Sequence, residues 1–80
     1  MYIVYILTSK KFPRRYYIGL TQDLDKRLKE HDSESSIYAK RYAPWQIETY
    51  LTFKKKNLAK EFEKYLKSGS GFVFLKKRLI

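Results

Sequence analysis

Five side chains carry most of the chemistry open to this sequence: Tyr5, Tyr17, Arg27, His31 and Glu63. Arg27 and His31 are one helical turn apart, so a helix there sets them side by side on one flank of a Leu24/Leu28 stripe. A guanidinium fork held at that edge can bind a phosphate through two N–H groups. The plainer alternative is that Arg27 snorkels at the surface and His31 ends the helix, where positive charge is favoured. Glu63 lies one turn beyond Ala59, at the border of a second apolar stripe. A small neighbour leaves the carboxylate reachable as a ligand for a hard divalent cation. The plainer alternative is an i,i+4 ion pair with Lys67, worth a few tenths of a kcal/mol. Tyr5 and Tyr17 fall in aromatic, β-branched runs that can pair and share a face. A phenol whose pKa is lowered by nearby cations can take a proton from a nucleophilic water; aromatic residues on strands also serve simply to pack.

Other routes to catalysis are absent from the sequence. There is no Gly-rich phosphate loop, no HExxH, no zinc spacing and no Ser/His/Asp set. With one His and no Cys, any metal would be an oxygen-liganded Mg²⁺ or Mn²⁺. The lack of Cys also leaves stability to the aromatic core and suits a cytoplasmic protein. Eighteen Lys+Arg against eight Asp+Glu give a net charge of +10 over 80 residues, a field that calls for a polyanionic partner. Nucleic acid is favoured over an anionic membrane, because no segment joins a Lys-rich face to a broad apolar one, and nothing approaches a membrane span.

The elements that must position these residues follow from the patterning. Residues 2–8 are apolar on both alternating sets, as expected of a central strand covered on both faces. A polar turn containing Pro13 leads to a hairpin partner over 14–19. A helix over 23–31 has Asp23 as its N-cap. Residues 32–43 read as a long surface loop with room for one helical turn. Strand 45–53 alternates, with Ile47, Thr49, Leu51 and Phe53 on one side. A helix over 57–67 would be capped by Asn57 and would bury Leu58, Ala59, Phe62, Tyr65 and Leu66. Glycines 69 and 71 supply positive φ at its end, and a last helix over 71–79 is capped by Ser70. The fold class is therefore α/β (α+β): a small, mostly antiparallel three-stranded sheet flanked by helices, in a single domain over 1–80.

Taken in order, these landmarks resemble the GIY-YIG nuclease family. Ile3-Val4-Tyr5 stands where GIY does, Ile3 replacing the glycine, and Tyr17-Ile18-Gly19 is YIG itself. Asp23-Leu24-x-x-Arg27-Leu28-x-x-His31 is similar to the family's first helix. Pro44-Trp45 is similar to the lead into its third strand, and Ala59-x-x-x-Glu63-x-x-x-Lys67 to the helix with the metal-binding glutamate. The likeness is strongest to small stand-alone members related to the nuclease domain of the bacterial excision-repair endonuclease. The resemblance implies that Glu63 holds a single Mg²⁺ or Mn²⁺ on a phosphate oxygen. It implies that Arg27 stabilises phosphoryl charge and that Tyr5 and Tyr17 position water, one of them as general base. It gives His31 a part in proton transfer or in holding the phosphate.

The expectation is thus a metal-dependent endonuclease, a monomer or weak homodimer, acting on DNA in preference to RNA with little sequence specificity. Lys40, Arg41, Lys54, Lys55, Lys56, Lys67, Lys76, Lys77 and Arg78 are its candidate phosphate contacts. The alternatives are a non-cleaving nucleic-acid-binding module of the same fold and a small protein-interaction domain.

Overall fold

The computed structural model describes residues 1–33 and 37–80, the side chains of residues 31–33 excepted. The elements run β1 (Tyr2–Ser9), β2 (Tyr16–Thr21), α1 (Leu24–Ser33), α2 (Ile37–Arg41), β3 (Trp45–Phe53), α3 (Lys56–Leu66) and α4 (Gly69–Phe74). α4 continues directly into a π-helical turn, Leu75–Leu79.

β1 is the middle strand of an antiparallel sheet of order β2-β1-β3. Its two alternating sets are both buried because each faces its own helical layer. Val4 and Ile6 join Ile18, Ala59, Leu66 and Leu75 beneath α3 and α4. Tyr5 and Leu7 join Trp45 on the opposite face, against Leu24 and Leu28 of α1. The sheet is therefore the middle of three layers, and the chain has two thin cores rather than one.

β3 alternates as its sequence suggests, but its inward residues do not share one side of the sheet. Ile6 pairs with Thr49 while Leu7 pairs with Ile47, so Glu48 is an extra residue at a β-bulge. A one-residue shift sends every later side chain to the other face. Trp45 and Ile47 accordingly pack in the layer of α1, and Leu51 and Phe53 in that of α3.

Other local expectations change. Residues 37–41 form α2, the helical turn for which the 32–43 loop left room, where Ala39 is buried and its carbonyl accepts a hydrogen bond from Trp45 Nε1 at 2.9 Å. The serines at 33, 35 and 36 lie outside the described residues, Ser33 as regards its side chain. Asp23 does cap α1, its carboxylate accepting from Lys26 N at 3.1 Å. α3 begins a residue earlier than Asn57 and has Lys55 at its N-cap without a side-chain bond; Leu58 stays exposed and Tyr65 is only partly covered. Neither glycine after α3 has positive φ. α3 instead ends on Lys67 in the right-handed region, and Ser68, not Ser70, caps α4 by accepting from Gly71 N. Gly71 is needed for closeness: a Cβ there would overlap the backbone of Tyr65 and Leu66.

Candidate active site

Tyr5 sits at the centre of β1 with 1% of its surface exposed. Its register partner on β2 is Gly19, and a Cβ at Gly19 would run into the Tyr5 phenol. The glycine of Tyr17-Ile18-Gly19 is therefore the floor on which the Tyr5 ring lies. Tyr17 pairs with Leu7, two residues along on the same face, and stacks on Tyr5 with ring centroids 6.5 Å apart and planes 16° from parallel.

α1 brings Arg27 over this pair. Its Nε donates to the Tyr5 hydroxyl at 3.2 Å, and its Nη1 meets Glu30 at 3.2 Å. The Arg27 side chain, 37% exposed, thus keeps one edge at the surface while its Nε is tied to the sheet. Burial pushes the Tyr5 phenol above its ordinary 10.0; the Arg27 hydrogen bond and charge oppose the shift, and the charges of Tyr17 and Glu63 add to it. Arg27 in turn is held above its ordinary value, first by its bond to Tyr5. The His31 side chain lies outside the described residues.

Glu63 comes from α3, on the other side of the sheet, yet its charge reaches Tyr5. It also forms the ion pair that the spacing allowed, Lys67 Nζ to Oε1 at 2.8 Å, with the glutamate side chain 23% exposed. Among the described residues no three His, Cys, Asp or Glu side chains cluster to hold a metal. One accessible carboxylate still fits Mg²⁺ or Mn²⁺, which keep several waters and take the remaining oxygens from substrate phosphate. It would not fit a metal that needs a full protein cage.

The candidate phosphate contacts divide by location. Lys40 and Arg41 are exposed on α2, Lys54, Lys55 and Lys56 lie at the β3–α3 turn, and Lys77 and Arg78 are exposed on the π-helical turn. Lys76 Nζ lies over the Tyr16 ring, and Lys67 lines a cleft with Tyr17. Sequence reasoning passed over the β1–β2 turn, where Lys11, Phe12, Pro13, Arg14 and Arg15 border a second hollow and Arg15 and Arg41 both lie over the Tyr42 ring. It also passed over Tyr38, whose ring stacks on Trp45 and approaches Tyr17. The available signal was the spacing Tyr38, Ala39, Tyr42, a small apolar residue between aromatics one turn apart.

Comparison with known proteins puts the chain among endonuclease domains. The family is GIY-YIG: its catalytic-domain profile matches residues 1–77, and the chain belongs to that family. Nucleic-acid binding goes with this membership, as does a general dependence on divalent metal. Among solved structures the chain is similar to the solution NMR structure of the UPF0213 protein BH0048 from Bacillus halodurans. The two are 30% identical, with 96% of this chain and 84% of that one covered and a TM-score of 0.56. No match is found among curated proteins. No helix among the described residues is long and apolar enough to cross a membrane.

Proposed function

We propose that the protein is a divalent-metal-dependent endonuclease, with residues 1–80 as one catalytic unit, hydrolysing DNA in preference to RNA and with little sequence specificity. The observation that carries this reading is that Arg27 of α1 donates to the Tyr5 phenol of β1 at 3.2 Å while Tyr17 of β2 stacks beside it. Glu63 is the metal ligand, and the metal supplies Lewis-acid stabilisation of the phosphate. Arg27, fixed by Tyr5, faces the phosphoryl oxygens with a charge that needs no reorganisation. Tyr5, a phenol that burial keeps neutral, accepts from Arg27 and so holds that guanidinium in place. Tyr17, stacked beside it and partly open, takes the proton of the attacking water as it passes its own phenolic proton to solvent. His31 assists proton transfer.

Incubation with supercoiled and branched DNA in Mn²⁺ tests this. Metal-dependent nicking is expected, with Glu63→Gln slower by at least about 100-fold, since charge stabilisation by the metal is worth several kcal/mol. Nicking that survives Glu63→Gln would remove the glutamate from the mechanism. A second reading, a binding module without cleavage, is favoured by the Glu63–Lys67 pair, because an ammonium already occupies a carboxylate oxygen that a metal would need. Tight binding with no product in Mg²⁺ or Mn²⁺ would establish that module instead.

A further inference from the structure

Beside Tyr17 the open edge of β2 borders a cleft of about 410 Å³, lined by Tyr16, Tyr17, Ile18, Tyr38, Leu66, Lys67 and Phe72. Its volume lies within the range of about 300–1,000 Å³ typical of sites for small organic groups. Its walls come from four elements: Tyr38 on α2, Tyr16, Tyr17 and Ile18 on β2, Leu66 on α3, and Phe72 on α4. Phe72 is 45% exposed although it is a large apolar side chain. Packing with the interior does not account for that exposure. Lys76 Nζ stands over both the Tyr16 ring and the Phe72 ring, at 5.8 and 5.9 Å, so a cation holds a place between two aromatic faces. At an exposed site such a contact is weak enough to be given up when something better stacks there.

We propose that this cleft is a nucleobase subsite, taking one unpaired base of the nucleic-acid strand next to the phosphate held by Arg27 and Glu63. The inference rests on the nuclease reading for the location of that phosphate. An aromatic wall of this kind suits a base of any identity, because every base has a π face. The edge of β2 adds polar groups. Tyr38 Oη donates to the Tyr16 carbonyl at 3.0 Å, which shows that this carbonyl points away from β1 and toward the cleft. By antiparallel alternation the backbone groups of Ile18, which also lines the cleft, point the same way. Lys76 and Lys67 at the rim can turn to the phosphates on either side of the stacked base, as the net charge of +10 favours. Tyr17 belongs both to the cleft and to the Tyr5 stack, so the base and the scissile phosphate would be immediate neighbours. Substrates with an unpaired or readily extruded base at the cut are therefore preferred over perfect duplex.

The test uses the full chain carrying Glu63→Gln, so that binding is read without cleavage. Oligonucleotides carry 2-aminopurine at successive positions around a nick or bulge, and its fluorescence reports stacking. Quenching is expected at one position, lost in Phe72→Ala and retained in Phe72→Trp, with circular dichroism confirming that both variants are folded. An abasic residue at that position should weaken binding by roughly 5- to 100-fold, and Phe72→Ala should erase the difference. The proposal is overturned if no position is quenched, or if quenching is the same in Phe72→Ala. Cleavage enters neither outcome, so a protein that never cuts would sink the nuclease reading while the cleft is still decided by fluorescence.

Discussion

At the scale of residues, Tyr5 and Arg27 define each other. The phenol is raised by burial, and Arg27, through a hydrogen bond and its charge, is what opposes the rise. Replacing Arg27 with Met, which keeps the stem and removes the charge, should therefore move the Tyr5 pKa further up. Near-ultraviolet titration of the phenol, with Tyr5→Phe as the blank, measures it; an unchanged or lower value would show that the 3.2 Å contact does not govern Tyr5. The sign also fixes the effect on stability. A folded pKa above the unfolded one gives stability that is complete below the unfolded value, 10.0 for this phenol, and is lost as pH rises through the folded value. Tyr5 and Tyr17 were legible because two aromatic, β-branched runs that can pair leave a mark in sequence; the approach of Gly19 to the Tyr5 ring was not. Nor was Tyr38, because its contacts with Tyr17 and Trp45 join residues that only the fold brings together.

At the scale of elements, period and length were legible and their ends were not. β1 follows from its unbroken apolar run, β3 from alternation and α3 from a turn-spaced stripe. Where α3 gives way to α4, however, Ser68 and Ser70 offer the same chemistry two residues apart, and backbone geometry chooses Ser68. The bulge at Glu48 was equally hidden, since the alternation of β3 reads the same whether its inward residues serve one layer or two. The α3–α4 corner holds Glu63 on one side and Phe72 on the other, so its rigidity matters to both proposed subsites. Ser68→Ala should cost about 1 kcal/mol by removing the cap. Gly71→Ala should cost more, about 1–3 kcal/mol, because a methyl group meets the Tyr65 and Leu66 backbone and has no flexible neighbour to displace. Urea midpoints compare the two. A neutral Gly71→Ala would mean that the helices do not approach as closely as this corner requires.

At the scale of the whole molecule, the charge of +10 is distributed so that its parts should do different work. Lys76 and Lys67 border the cleft, whereas Lys54, Lys55 and Lys56 lie at the far end of α3. Glu63 is seven residues after Lys56, which at 1.5 Å per residue is about 10 Å along the helix. That is about three base steps at roughly 3.4 Å per strand, so a phosphate touched by this lysine cluster is not the one being cut. Ionic grips of that kind hold substrate and transition state alike, and removing them is expressed in KM rather than in kcat. Changing all three lysines to Gln should therefore raise KM. It should also flatten the dependence of log affinity on log salt by up to about 0.9 for each duplex phosphate that the variant no longer neutralises. Salt titrations of binding to one duplex, wild type against triple variant, read the slope. An unchanged slope would remove the cluster from the interface and leave α2 and the π-helical turn as the surfaces along which the strand runs, both of them already adjoining the cleft.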